Sequence, residues 1–154
     1  MEKNYRPNVA AIILSSHYPK ICELFIAERS DIKGAWQFPQ GGIDGDEDAK
    51  TALFRELNEE IGTNKVEIIA EHPEWISYDF PDSVVHKMYP YDGQIQKYFL
   101  VRLKSSAEIN LDTKSPEFSR FKFVSVSETL KRVSFFKRPI YKKVLTHFKK
   151  NGYL

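Results

Sequence analysis

The sequence predicts an α/β protein, a mixed β-sheet with helices on both sides, folded as one domain over residues 1–154. Three observations predict it. Apolar and alternating runs of strand length recur along the chain, at residues 9–14, 23–29, 66–71 and 94–104. Two segments carry a helix period instead: Leu53, Leu57 and Ile61 every four residues, and Ile140, Val144, Leu145 and Phe148 near the end. No internal repeat, low-complexity tract or linker-like composition divides the chain, which is long enough for one sizeable core.

Residues 9–14 form an apolar run bounded by Pro7 and Ser15-Ser16, the pattern of a buried strand. Residues 23–29 alternate polar and apolar and should pair with it across a turn at 17–19. A polar loop at 31–34 leads to short strands at 36–38 and 42–43, flanking a glycine loop. The helix that follows starts near Asp48 and stops at Gly62, the residue type favoured just past a helix end. Strands are expected at 66–71 and 75–80, and residues 81–92, with two prolines, read as a long loop. Residues 94–104 are the clearest strand, since Tyr98, Leu100 and Arg102 alternate with Phe99, Val101 and Leu103. A polar loop at 105–115 precedes a strand at 121–126. Ser127 is a candidate N-cap for a short helix reaching about Val133. Pro139 suits the first turn of the last helix, and Gly152 ends it.

Composition narrows the function classes. A net charge of +2 argues against a basic coat for nucleic acid, while leaving room for a local basic site. The single Cys22 excludes an intramolecular disulfide and fits a reducing compartment. The first residues hold no apolar signal region, and no run approaches membrane-spanning length. The expectation is a cytoplasmic enzyme or binding protein, monomeric, with no membrane partner.

The chemistry concentrates between residues 41 and 62. At about 100° per residue, Glu56, Glu59 and Glu60 share one side of the helix, where like charges repel. A solvated face with salt partners is the ordinary explanation, but Arg55 cannot relieve all three. A hard divalent cation would, because Mg²⁺ takes carboxylate oxygens together with water and substrate phosphates. Gly41 and Gly42 precede the helix, so a flexible loop meets its N-terminal end near the acidic groups.

Gly41, Glu47, Arg55-Glu56-Leu57, Glu59-Glu60 and Gly62, at this fixed spacing, resemble the Nudix box. Thr63 replaces the usual aliphatic residue, and Gly45-Asp46 stands where many members place glycine directly before the glutamate. Neither departure removes a carboxylate. Further phrases, Tyr-Arg-Pro-Asn-Val at 5–9, Trp-Gln-Phe-Pro-Gln-Gly-Gly-Ile at 36–43, Pro-Glu-Phe at 116–118 and Phe-Lys-Arg at 136–138, span nearly the whole chain. Together they resemble the Nudix branch of bacterial RNA pyrophosphohydrolases and dinucleoside polyphosphate hydrolases.

The resemblance implies an α/β/α sandwich and a hydrolase acting on phosphoanhydride bonds. Glu56, Glu59, Glu60 and Glu117 match its catalytic, metal-binding carboxylates, for Mg²⁺ with Mn²⁺ as a substitute. Arg6, Arg29 and Lys137 match basic residues around the phosphates, and Phe136 an aromatic at the nucleobase cleft. Gln40 and Gln94 are polar contacts, while Gly41, Gly42, Glu47, Arg55 and Gly62 support the box. From residue types alone, the commoner arrangement at 134–138 buries Phe135 or Phe136 and solvates Lys137 and Arg138. The implied substrate is RNA with a 5′-triphosphate or diphosphate end, converted to a 5′-monophosphate and so exposed to decay. The alternative is asymmetric cleavage of dinucleoside polyphosphates such as diadenosine tetraphosphate. A non-hydrolytic nucleotide sensor ranks lower, because such modules usually lose a box carboxylate.

Overall fold

In chain order, the first half of the computed structural model contains β1 (Tyr5–Leu14), β2 (Leu24–Arg29), β3 (Trp36–Gln37), β4 (Gln40–Gly42), α1 (Ala49–Ile61) and β5 (Val66–Glu71). There follow β6 (Ile76–Asp79), α2 (Asp82–Val85), β7 (Gly93–Leu103), β8 (Phe118–Val124), α3 (Val126–Arg132) and α4 (Arg138–Lys150). The structure describes residues 2–154. The eight strands form one mixed sheet with β1 at its centre. β1 runs parallel to β7 from Tyr5↔Gly93 to Leu14↔Arg102, and antiparallel to β4 from Asn8↔Gly42 to Ala10↔Gln40.

The period-2 alternation of β1 sorts the core into two layers. Ala10, Ile12 and Leu14 point to one face with Tyr98, Leu100, Tyr141, Val144, Leu145 and Phe148, beneath α4. Val9, Ala11 and Ile13 point to the other with Phe99, Val101, Leu53, Leu57 and Ile61, beneath α1. This is the expected α/β/α sandwich. α1 is held at both ends: the Asp48 carboxylate accepts from the Thr51 N–H at 2.8 Å, and Gly62 closes the helix at φ 74°.

Several expectations require correction. The predicted hairpin between 9–14 and 23–29 is realised at Leu14↔Leu24, while β2 pairs along β8 from Leu24↔Val124 to Arg29↔Phe118. The reason is that β7 and β4 take the hydrogen-bonding edges of β1. β1 also begins at Tyr5 rather than at Val9, so Arg6 belongs to the sheet. The short strand after Pro39 falls at Gln40–Gly42 rather than 42–43. The 81–92 stretch contains one short helix, α2. β8 starts earlier than expected because Phe118 is buried under α1's layer, although polar Ser119 and Arg120 disguise the pattern. α3 is capped by Ser125, whose Oγ accepts from the Glu128 N–H at 3.1 Å, not by Ser127.

Candidate active site

The three glutamates of α1 share a side of the helix, but the fold gives each a different environment. Glu60 lies two turns beyond Leu53, about 20° away around the helix, and therefore within the buried stripe. It is 3% exposed, and neither carboxylate oxygen has a hydrogen-bond partner. Burial, followed by the charges of Glu117 and Glu56, holds its carboxyl well above the usual range. Glu56 accepts from Arg55 Nη1 at 2.9 Å, and burial raises its carboxyl too. Glu59 is exposed, 3.3 Å from the same nitrogen.

Arg55 does more than pair with one neighbour. Its Nε and Nη2 donate to the two oxygens of Glu47 at 2.7 and 2.8 Å, and Nη2 also reaches the Gly42 carbonyl at 2.8 Å. The glycine loop is thereby tied to the helix. The guanidinium, helped by the Asp44 N–H, draws the Glu47 carboxyl down to about 2. A depressed carboxyl stabilises the fold above its unfolded value near 4.5, and that contribution is lost as pH falls through about 2. Glu47→Gln is therefore expected to lower the melting temperature at neutral pH and flatten its fall between pH 5 and about 2. A melting series across that range checks it; an unchanged slope would remove Glu47 as the acid-sensitive tie.

Close approach explains the paired glycines. A Cβ on Gly41 would overlap the Glu56 carboxyl, and one on Gly42 would overlap the Arg6 guanidinium. Both neighbours are ends of flexible side chains, so an added methyl displaces functional groups rather than the backbone. Gly41→Ala should reduce kcat about tenfold through a misplaced Glu56, with the fold retained. Unaltered turnover would show that the Glu56 position is not set by this contact.

Lys137 forms the opposite wall. It is 5% exposed, the reverse of the solvated lysine common at such junctions, and its Nζ donates to Gln40 Oε1 at 2.6 Å. Burial, with Arg29, pulls its ammonium down to about 7, and the Glu60 charge opposes this. A buried chain fixes Gln40. Gln96 Nε2 donates to Gln40 Oε1 at 3.0 Å and to Asn8 Oδ1 at 2.8 Å, while Gln96 Oε1 accepts from the Tyr98 hydroxyl at 2.8 Å. Gln40 Oε1 thus accepts from two donors, which fixes the side chain in the cleft wall.

The remaining wall is aromatic. Phe136 is 44% exposed and packs against Tyr78, ring centroids 5.8 Å apart. Tyr78 donates to the buried Gln94 at 2.7 Å, and burial raises its phenol to about 12. Arg29 enters the cleft already paired with Asp31, through bonds of 2.9 and 2.6 Å. Glu117 is brought alongside because its carbonyl accepts from the Ser30 N–H at 2.8 Å, just beyond β2.

All ten expected metal, phosphate and substrate residues thus line one cleft of about 970 Å³. Asn8, Tyr78, Gln96 and Tyr98 were not foreseen as parts of its framework. A sequence signal existed for two of them: Gln94, Gln96 and Tyr98 place polar groups at alternate positions, and so on one face, of the strand.

The donor set fits a divalent cation. Glu60 has partnerless buried oxygens, and Glu56 and Glu117 raise its cost of ionisation, a conflict that positive charge removes. Among the described residues the acidic groups line the cleft without closing into a three-ligand cluster, and Arg55 pairs with both Glu56 and Glu59.

A mixed sheet between helices, with a glycine loop and a glutamate helix forming one acidic cleft, defines a Nudix domain. The NUDIX domain model matches residues 4–144, and the chain belongs to this family. It is 66% identical over 152 residues to an RNA pyrophosphohydrolase of Nitratiruptor, covering 99% of this chain and 98% of that protein. It is 56% identical to an RNA pyrophosphohydrolase of Helicobacter pylori over 154 residues, covering 100% and 99%. Its fold is similar to the dihydroneopterin triphosphate pyrophosphohydrolase of E. coli, with TM-score 0.72, 18% identity and coverage of 94% and 99%. It is also similar to a C. elegans Ap4A hydrolase, with TM-score 0.66, 18% identity and coverage of 93% and 98%. Among the described residues, no helix is long and apolar enough to cross a membrane.

Proposed function

We propose that this chain, working as a single domain over residues 1–154, removes pyrophosphate or phosphate from the 5′ end of RNA to leave a 5′-monophosphate. The observation that carries the reading is one cleft joining the Glu56–Glu60 carboxylates to buried Lys137 and half-exposed Phe136. The full-length similarity to proteins named RNA pyrophosphohydrolase supports it.

Glu56, Glu59, Glu60 and Glu117 would hold Mg²⁺, with Mn²⁺ as a substitute. The bound metal supplies charge neutralisation on the polyphosphate and a more acidic water. Lys137, Arg6 and Arg29 provide positive charge for phosphate oxygens, with Gln40 and Gln94 as polar contacts. Phe136, backed by Tyr78, offers a flat face to an unpaired base. Such a site engages one strand end, so it needs no basic coat. The enzyme is proposed to act in the cytoplasm as a monomer.

Diadenosine tetraphosphate is the second reading, since it presents the same adjoining polyphosphate and base to the same cleft. The test compares kcat/KM with Mg²⁺ for 5′-triphosphorylated RNA, 5′-diphosphorylated RNA and diadenosine tetraphosphate. Preference for either RNA is expected. Preference for the dinucleotide would shift the function to nucleotide clearance, and activity on none would favour a sensor.

A further inference from the structure

Phe135 stands just outside the cleft, in the turn that joins α3 to α4. It is 85% exposed, while its neighbour Phe136 lines the cleft itself. A side chain so exposed contributes little to the core, so packing does not account for an aromatic at this position. It is nevertheless not isolated. The Arg138 guanidinium lies 6.0 Å from the ring centroid, and its Nη2 donates to the Val133 carbonyl at 3.2 Å. An aromatic face and an anchored cation therefore sit together at the rim, adjacent to the base wall.

We propose that Phe135, supported by Arg138, is a stacking platform for a downstream nucleotide of a single-stranded RNA substrate. The proposal rests on the RNA reading above and extends it from the phosphorylated end to the strand that follows. With the polyphosphate at the carboxylates and a base against Phe136, the strand that follows can pass over the rim at Phe135. Phe135 adjoins Phe136 in the chain, so successive bases can meet successive aromatic residues. Every base has a π-face, which makes the platform tolerant of sequence, and Arg138 complements the phosphate charge. A dinucleoside polyphosphate has no downstream strand and gains nothing from it.

The test measures kcat/KM with Mg²⁺ for the wild type, Phe135→Ala and Phe135→Trp. Its substrates are a 5′-triphosphorylated unstructured octamer, a 5′-triphosphorylated dinucleotide and diadenosine tetraphosphate. Phe135→Ala is expected to lose about tenfold on the octamer and nothing on the two short substrates, with Phe135→Trp restoring the octamer. The melting temperature should not change, because the side chain is exposed. Equal losses on all substrates, or no loss on the octamer, would overturn the platform. A wild type that cleaves octamer and dinucleotide equally well would overturn it while leaving the RNA reading intact. A wild type that cleaves neither RNA would bring down both.

Discussion

Glu60→Gln is expected to reduce hydrolysis of 5′-triphosphorylated RNA about a thousandfold while leaving the fold intact. The factor corresponds to several kcal/mol of charge stabilisation at the reacting phosphate. The amide keeps the shape of the side chain but cannot supply an anionic ligand. Its environment also predicts an unusual stability result. Glu60 is buried without a hydrogen-bond partner and faces the charges of Glu117 and Glu56. Removing the ionisable group should leave the melting temperature of the metal-free protein unchanged or higher, since an unpaired buried carboxylate is costly. Adding Mg²⁺ should then stabilise the wild type more than the variant. Near-normal turnover with ordinary metal dependence would eliminate Glu60 as a metal ligand. A large fall in melting temperature would instead make it a structural residue.

Lys137→Met should lower kcat/KM several hundredfold, within the range of about 10² to 10³ for losing one preorganised donor at developing charge. Methionine approximates the length and apolar stem of lysine, so the α3–α4 turn keeps its packing. What disappears is the ammonium beside Glu60 and the bond that holds Gln40 Oε1 at 2.6 Å. The loss should fall on every polyphosphate substrate, because the group sits deep in the cleft. This separates it from Phe135, whose effect is expected only on longer RNA. Metal binding should survive, as no carboxylate is altered. A variant with normal kcat/KM on all substrates would reduce Lys137 to a buried structural lysine.

The contrast between Lys137 and Phe135 also marks the reach of local sequence. From residue types, burying an aromatic and solvating lysine is the ordinary outcome at residues 134–138. The structure does the opposite, because the turn is set by Val133 beside Trp36 and by Tyr141 under Phe38. Those contacts join residues about a hundred positions apart. No local pattern records them. Glu60 is an intermediate case: its heptad spacing from Leu53 points to burial, whereas its spacing from Glu56 and Glu59 points to a shared exposed face.

The sequence by itself determined the layers, the ends of α1 and the acidic box, because periodicity, Gly62 and carboxylate spacing act over a few residues. Its resemblance to the Nudix family also pointed to the distant Arg6, Glu117, Phe136 and Lys137 as one site. The tertiary structure decided what each one experiences. It joined β1 to β7 and β4 instead of completing a hairpin with β2, tied Glu117 beside Ser30, and enclosed Lys137 against Gln40. Charge state and accessibility follow from desolvation and from partners brought together across the chain, and only the packed sheet and helices supply those.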